Sequence, residues 1–264
     1  MKMTFILGAQ KCGTTTLHHW LSQHPNVLGS SPKEPKYFEL EYYKGTTWYL
    51  EQYFKAHRPL DDQMLVDGRV RNLLIPYVPD RIYETFLRND PKFIILFRDP
   101  IERAYSAWNH FTRMRPGREE PNFEVAMQKN LASFDPDIFR LEGDYVPYLD
   151  PKGGSYKNTY LESGWYWYQA QRYIKRFGER SVYFICLDDL AESPEDVWYE
   201  LLHFLQLPYH FLPNFSVLNV APIQKDLPVS MMYPHTWNRL SSIFSDDLNG
   251  LSEYLNRDLK KEWW

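Results

Sequence analysis

A glycine-rich loop near the start of the chain carries the residues whose types and spacing are best suited to chemistry. It reads Gly8-Ala9-Gln10-Lys11-Cys12-Gly13-Thr14-Thr15-Thr16 and follows the short apolar run from Met3 to Leu7. Backbone N–H groups, a lysine ammonium and three hydroxyls in one loop are donors for a phosphate or a similar anion. The loop therefore predicts an anion-binding site.

The position of the lysine separates this loop from the phosphate loop of nucleotide triphosphatases. That loop has the pattern Gly-x-x-x-x-Gly-Lys-Thr, with the lysine directly after the second glycine. Here Thr14 follows Gly13, and Lys11 stands in the middle of the loop. A triphosphatase needs this lysine in contact with the terminal phosphates. A lysine three positions earlier is therefore a departure from the triphosphatase arrangement.

Alternating strand-like and helix-like segments must position this loop. Apolar runs typical of buried parallel strands occupy residues 3–7, 64–66, 93–97 and 182–186, and helical patterns occupy residues 14–24, 79–88, 100–114, 159–177 and 194–206. This alternation predicts an α/β fold, doubly wound, with a central and mainly parallel β-sheet flanked by helices. Ligands of such folds lie outside the carboxyl ends of the strands, which is where the glycine-rich loop stands.

The chain shows no internal repeat and no low-complexity tract, so we expect a single domain over residues 1–264. Residues 115–158 are punctuated by proline and glycine but remain rich in phenylalanine and tyrosine. This composition predicts an irregular excursion that serves as a lid or as an acceptor-side surface.

Composition and charge exclude several classes of protein. The net charge is −4 and the pI is about 6.1, so we expect no nucleic-acid partner and no anionic membrane surface. Two cysteines and the lack of an export or membrane-spanning segment predict a cytoplasmic protein. The eight histidines show no metal-ligand spacing, so no metal is expected. Aromatic residues make up 17%, enough to line an acceptor cavity in part.

Two motifs resemble those of the sulfotransferases that use 3′-phosphoadenosine 5′-phosphosulfate (PAPS). The run Lys11-Cys12-Gly13-Thr14-Thr15 resembles the 5′-phosphosulfate loop of that family. Residues 97–106, Phe-Arg-Asp-Pro-Ile-Glu-Arg-Ala-Tyr-Ser, resemble its 3′-phosphate motif, Arg-Asp-Pro-x-x-Arg-x-x-Ser. Residues 31–38 and 45–49 are similar to the heparan-type and bacterial branch. The resemblance implies a P-loop-like sulfotransferase domain.

The resemblance also implies roles for the motif residues. Lys11 would be catalytic, because it would stabilise the charge that develops on the bridging oxygen as the sulfuryl group leaves the phosphate. The 5′-phosphosulfate would be held by the loop residues Gln10, Lys11, Cys12, Gly13, Thr14, Thr15 and Thr16, although some of the threonines could simply cap the helix. Arg98 and Ser106 would hold the 3′-phosphate, and Asp99 would orient the turn.

The general base implied by the resemblance is Glu34. An acceptor hydroxyl or amine must lose a proton as it attacks sulfur, and a carboxylate in reach can take it. Glu39 and Glu41 lie nearby in sequence, so the choice of Glu34 depends on the resemblance. Lys36 falls where the heparan branch often has histidine, and it would contact the acceptor or the sulfuryl group, or be a plain surface lysine.

The chain departs from the heparan branch at two places. That branch tends to place a lysine for the sulfuryl group after the third strand, where this chain offers Arg69 or Arg71 as weaker substitutes. It also carries a basic, glycine-rich loop over the cofactor, whereas residues 219–230 contain Lys225 as their one lysine and no arginine. The way in which this segment closes over the cofactor is therefore expected to differ from that of the heparan branch.

The implied reaction is in-line transfer of a sulfuryl group from PAPS to an acceptor, leaving 3′,5′-ADP, with no metal. Because an acidic protein is a poor host for a polyanion, we expect a small neutral or cationic acceptor, such as a secondary metabolite or a saxitoxin-type guanidinium alkaloid. A glycosaminoglycan-like carbohydrate is the alternative acceptor. The sequence predicts no particular oligomeric state.

Two other classes of function stay open from the residues alone. A P-loop kinase or nucleotide hydrolase would bind ATP with magnesium and would use the pair Asp188 and Asp189 after an apolar strand as metal ligands. A non-catalytic module would retain the nucleotide pocket without turnover.

Overall fold

A parallel sheet forms the centre of the computed structural model, which describes residues 2–55, 63–86, 89–114, 116–117, 119–134, 159–218 and 232–264. Within these residues its strands are β1 (Lys2–Gly8), β2 (Val27–Gly29), β3 (Met64–Asp67), β4 (Lys92–Phe97) and β5 (Val182–Cys186). The strand order is β2-β3-β1-β4-β5, and every pairing is parallel. The predicted α/β class with a central parallel sheet is confirmed.

Burial of the central strands explains why their sequences are continuously apolar. Phe5 in β1 and Phe93 in β4 are fully buried, and their rings stack at a centroid distance of 5.6 Å. Strands covered on both faces have no solvent side that would call for polar residues. Because β1 lies between β3 and β4, the chain leaves it at the position where ligands of such sheets bind.

The helices of the described residues follow the strands in alternation through most of the chain. They are α1 (Thr14–Gln23), α2 (Thr46–Phe54), α3 (Val78–Phe86), α4 (Pro100–Met114), α5 (Phe123–Ser133), α6 (Tyr166–Phe177), α7 (Leu187–Glu192), α8 (Pro194–Leu205), α9 (Pro234–Leu255) and α10 (Leu259–Trp263). No helix in this part of the chain combines the length and the apolar character needed to cross a membrane.

Four predicted strands and the main predicted helices are confirmed, with differences at the ends. The helix predicted over 159–177 begins at Tyr166, after a 3₁₀ turn at Glu162–Gly164. The prediction that 115–158 is irregular was wrong for α5, whose N-cap Asn122 accepts a hydrogen bond from the N–H of Val125 at 3.1 Å. Residues 135–158 lie outside the described residues, so the lid prediction there stays a prediction.

The chain separates into two compact units. The first comprises Met1–Phe97 and Ala170–Asn219 and contains the whole sheet. The second comprises Arg98–Gln169 and Val220–Trp264 and contains α4, α5, α9 and α10. In the second unit, the buried carboxylate of Asp247 accepts hydrogen bonds from the N–H groups of Trp167 and Tyr168 at 3.0 and 2.9 Å, which caps the first turn of α6. The single domain over 1–264 stays a prediction.

Candidate active site

The anion-binding loop predicted from the sequence connects β1 to α1. The N–H of Ala9 donates to the carbonyl of Leu96 on β4 at 2.7 Å, which fixes the loop against the sheet. Gly13 has φ = 85°, and a Cβ there would lie 2.8 Å from Leu187 Cδ1, so a side chain does not fit. Lys11 also has a positive φ of 70°, which is uncommon for a residue other than glycine. The first turn of α1 presents N–H groups that have no partner within the helix.

The side chains of the loop differ in what they can offer to a ligand. Gln10, Lys11 and Thr15 are half-buried, and Cys12 and Thr14 are buried. The Thr16 hydroxyl donates to the carbonyl of Leu218 at 3.3 Å and accepts from its N–H at 3.0 Å. This hydroxyl thus already bonds the backbone, and contact of Thr16 with a phosphate stays a prediction.

A second lysine reaches the same loop from the segment after β2. Lys33 Nζ lies 3.4 Å from Thr14 Oγ1 and 3.1 Å from the carbonyl oxygen of Gly68. Its side chain is 17% exposed, and its salt bridge to Glu34 Oε1 is 3.5 Å long. Burial lowers the pKa of the Lys33 ammonium, and the neighbouring Glu34 carboxylate opposes that shift. An ammonium group thus lies at the helix end that would bind an anion.

The predicted base, Glu34, belongs to a network of charged side chains around Arg69. Arg69 Nη1 donates to Glu34 Oε2 at 3.0 Å, and Arg69 Nε donates to Glu39 Oε2 at 2.9 Å. Arg71 Nε donates to the other oxygen of Glu39 at 3.0 Å. The Glu39 side chain is fully buried, whereas that of Glu34 is 38% exposed. One guanidinium therefore fixes the orientation of Glu34, and part of its carboxylate still faces solvent.

Two local features hold this network in place. At the end of β3, Asp67 Oδ1 accepts a hydrogen bond from the Arg69 N–H at 2.8 Å, and Tyr49 donates its hydroxyl to Oδ2 at 2.7 Å. Burial raises the pKa of Asp67 to about 7. A π-helical turn, Tyr37–Glu41, carries Glu39, whose carbonyl accepts from the Tyr77 hydroxyl at 3.0 Å.

The three weaker site predictions are placed differently. Arg69 and Arg71 lie in the network with Glu39 as a shared partner, whereas Lys36 is exposed. Contact of any of the three with a sulfuryl group stays a prediction. Residues 219–230, where closure over the cofactor was expected to differ from the heparan branch, lie outside the described residues.

Many aromatic rings that could have lined an acceptor cavity pack instead in the core of the first unit. Tyr37, Phe38 and Tyr49 are at most 1% exposed, and Tyr37 stacks on Tyr49 at a centroid distance of 4.5 Å. A ring buried by protein atoms offers no face to a ligand. Much of the aromatic excess is thus structural, although Trp48 remains half-buried with the Lys44 ammonium 4.0 Å from its ring centroid.

The second predicted motif lies in the second unit, at the start of α4. Asp99 Oδ1 accepts from the N–H groups of Ile101 and Glu102 at 2.7 and 3.1 Å, which agrees with its predicted role in orienting the turn. The Arg98 guanidinium pairs with the Glu102 carboxylate, whose side chain is 50% exposed. Glu102 and the half-buried Ser106 are four residues apart and so share one face of the helix.

Sequence reasoning assigned no role to Lys33 or Asp67 and left Glu39 as a neighbour of the base. For Asp67 a signal was available, because it ends β3, a predicted strand, at the carboxyl edge of a parallel sheet. The strand β2, which precedes Lys33, has three residues and was not predicted. In the part of the chain that the structure describes, no cluster of three or more His, Cys, Asp or Glu side chains could hold a metal ion.

Comparison with known families gives one match over nearly the whole chain. Residues 2–260 match the family model described as the sulfotransferase domain. A crystal structure of a sulfotransferase from Alicyclobacillus acidocaldarius superposes with a TM-score of 0.74 and 25% identity, covering 99% of this chain and 98% of that one. A mouse sulfotransferase solved as a complex with PAP has a TM-score of 0.53 at 12% identity and covers 94% of this chain and 85% of that chain, a likeness of fold.

Curated relatives match over shorter stretches. A mouse bifunctional heparan sulfate N-deacetylase/N-sulfotransferase is 25% identical over 80% of this chain and 23% of its own length. A human heparan sulfate glucosamine 3-O-sulfotransferase is 32% identical over 49% of this chain and 31% of its own. A membrane-associated sulfotransferase of Dictyostelium discoideum is 32% identical over 47% of this chain and 26% of its own. The chain therefore spans about a quarter to a third of the length of these three relatives.

Proposed function

The chain belongs to the sulfotransferase domain family, and on that basis we propose that it transfers the sulfuryl group of PAPS to a hydroxyl or amine of an acceptor. The observation that carries this proposal is the position of Glu34. Its partly exposed carboxylate is held by Arg69 and stands beside Lys33, which in turn contacts Thr14 at the start of α1. The proposed base and the helix end proposed to bind the anion thus belong to one compact unit, which supports the proposal.

In the proposed reaction, the acceptor oxygen or nitrogen attacks the sulfur of PAPS in line with the bond to the 5′-phosphate. A new bond from the acceptor to sulfur forms, the sulfur–oxygen bond to the phosphate breaks, and its electron pair stays on the 5′-phosphate of 3′,5′-ADP. Glu34 takes the proton that the acceptor loses. Such a reaction needs positioning and charge stabilisation rather than a covalent enzyme intermediate.

We propose that Lys11 and the N–H groups around Gly13 stabilise the leaving phosphate. The Ala9 N–H bond to the Leu96 carbonyl and the close packing of Gly13 against Leu187 fix the loop against its neighbours. A preformed set of donors costs little reorganisation as charge develops, which is the usual source of large rate effects. Arg98 and Ser106 are proposed to bind the 3′-phosphate, the group that distinguishes PAPS from an ordinary adenosine nucleotide.

The acceptor that we propose is a small neutral or cationic molecule. Arg69 and Arg71, which belong to the network around the proposed base, already have carboxylate partners in Glu34 and Glu39. They therefore offer no excess positive charge to a polyanion, in keeping with the net charge of −4. A second candidate is a carbohydrate, since two of the relatives above are heparan sulfate sulfotransferases by name.

Calorimetry and labelled PAPS test the proposal in two steps. The protein is titrated with 3′,5′-ADP and, separately, with ATP plus magnesium; we expect tight binding of 3′,5′-ADP that does not depend on magnesium. A panel of small alcohols, amines and heparan oligosaccharides is then incubated with ³⁵S-labelled PAPS. Transfer of label to a small cationic or neutral acceptor supports the proposal, transfer to the oligosaccharide alone supports the second candidate, and magnesium-dependent binding of ATP alone overturns both.

Two variants test the residue roles once an acceptor is found. Glu34→Gln is expected to lower kcat by about 10²–10⁴-fold, the usual contribution of a general base. Lys11→Met is expected to lower kcat by about 10²–10³-fold, as for removal of one preorganised donor. Glu192→Gln, an exposed change at the end of α7, is the control. Wild-type turnover in both site variants would contradict the mechanism.

A further inference from the structure

We propose that Lys33 is a further catalytic residue, whose ammonium binds the sulfuryl oxygens of PAPS as the group is transferred. The proposal rests on the proposed function and adds to it a residue to which the sequence analysis assigned no role. The first evidence is the place of the ammonium. Lys33 Nζ is 3.4 Å from the hydroxyl of Thr14, the first residue of α1, and 3.5 Å from the proposed base Glu34.

The charge on Lys33 is less fully compensated than that of the neighbouring cations. Arg69 and Arg71 each donate to a carboxylate oxygen at about 3.0 Å, whereas the carboxylate beside Lys33 is 3.5 Å away. A charge-assisted hydrogen bond is shorter, about 2.7–2.9 Å. The other two contacts of this ammonium are a hydroxyl and a peptide carbonyl, which are neutral. A mostly buried cation with this set of partners is suited to an anionic ligand.

The backbone around Lys33 is built to hold the side chain in this position. Ser30 donates its hydroxyl to the Lys33 carbonyl at 2.7 Å, and Gly68 donates its N–H to the same oxygen at 3.2 Å. A Cβ on Gly68 would lie 2.9 Å from Lys33 Cγ. The absence of a side chain at Gly68 therefore makes room for the lysine stem. The Lys33 ammonium also donates to the Gly68 carbonyl. Gly68 therefore contacts both the backbone and the charged end of the Lys33 side chain.

This arrangement gives the transfer step two cations with separate tasks. As the acceptor–sulfur bond forms and the sulfur–phosphate bond breaks, negative charge lies on the equatorial sulfuryl oxygens and builds up on the leaving phosphate. Lys11 is assigned to the phosphate side, and Lys33 to the sulfuryl oxygens. The acceptor proton passes to Glu34, so Lys33 keeps its own protons throughout. A fixed cation beside the base lowers the barrier because it needs no reorganisation.

The test compares two ligands that differ only in the sulfuryl group. Lys33→Met keeps most of the stem and removes the charge. We expect it to weaken PAPS binding by about 10- to 100-fold, the usual value of a hydrogen bond to a charged group, and to change 3′,5′-ADP binding by less than about threefold. Lys175→Met, on an exposed position of α6, is the matched control and is expected to leave both affinities unchanged.

Each outcome separates this inference from the proposed function. If the wild-type protein binds neither ligand, the proposed function fails. If it binds both and Lys33→Met weakens both by the same factor, or neither, the assignment of Lys33 to the sulfuryl group is overturned. Thermal unfolding checks that the variant folds. Should Lys33→Met not fold, Lys33→Gln retains a donor without the charge, and the same loss of preference for PAPS over 3′,5′-ADP is required of it.

Discussion

The charged groups of the two candidate regions are held in opposite ways. In the first unit, Glu39 is fully buried and is bonded by both Arg69 and Arg71, and Arg69 also reaches Glu34. In the second unit, the Arg98 guanidinium pairs with the carboxylate of Glu102, whose side chain is 50% exposed. The first region is a connected ionic network with little exposure, and the second contains an ion pair whose carboxylate is half exposed.

This difference matches what each region is proposed to do. A base and a transition-state cation must be fixed within a fraction of an ångström, which a buried network with several shared partners can achieve. A residue that binds a phosphate of the cofactor needs to exchange one anionic partner for another, and an exposed pair permits this. The contrast predicts that substitutions in the network change folding stability, whereas those around Arg98 chiefly change ligand affinity.

The largest effect is expected from Glu39→Gln. The amide would leave the buried guanidinium groups of Arg69 and Arg71 without their shared negative partner, and breaking a buried ion pair from one side costs about 3–5 kcal/mol. Urea unfolding of the variant and of wild type measures the difference in the free energy of unfolding. The double variant Glu39→Gln with Arg71→Met also removes one of the two guanidinium groups that shared Glu39. It is expected to recover part of the lost free energy of unfolding. A loss below about 1 kcal/mol would show that the network is no more than a surface ion pair.

Asp67 gives the network a pH dependence of known sign. Burial raises its pKa from 3.8 to about 7, so between these values the folded protein binds more protons than the unfolded chain, and stability falls as the pH rises through that range. Asp67→Asn resembles the protonated carboxyl and removes this loss. We expect the variant to match wild type near pH 4 and to exceed it at pH 8 by on the order of 1–4 kcal/mol. Equal unfolding curves at pH 8 would contradict the assignment.

The sequence predicted the strands and the helix that position the site better than the contacts among its side chains. Long apolar runs and a glycine loop revealed β1, β4 and α1, because strand burial and backbone N–H groups depend on local sequence. The bridging of Glu34 and Glu39 by Arg69 was not predictable, since it depends on β3 lying beside β1 and β2 in the sheet. The burial of Tyr37 and Tyr49 was not predicted either. Composition gives the number of aromatic rings but not the residues that pack against them.

A ligand effect of intermediate size is expected from Arg98→Ala. Loss of the guanidinium removes a charge-assisted contact to the proposed 3′-phosphate, which corresponds to a fall of about 10- to 100-fold in affinity for 3′,5′-ADP. The matched ligand is 5′-AMP, which lacks the 3′-phosphate and should bind the variant and wild type alike. Because the Arg98 pair is partly exposed, unfolding should change by no more than about 1 kcal/mol. An equal loss for both nucleotides would remove Arg98 from the 3′-phosphate site.

The smallest effect, and the sharpest test of the contrast, is expected from Glu102→Gln. The variant leaves Arg98 without the carboxylate that competes with phosphate, so affinity for 3′,5′-ADP should rise by about two- to fivefold, an effect that added salt should reduce. Stability should change by less than about 1 kcal/mol, since an ion pair whose carboxylate is half exposed contributes little. Calorimetry at two salt concentrations, with urea unfolding of the same protein, measures both quantities. A loss of several kcal/mol, or weaker binding, would place Glu102 in a fixed network like that of Glu39 and would end the distinction between the two regions.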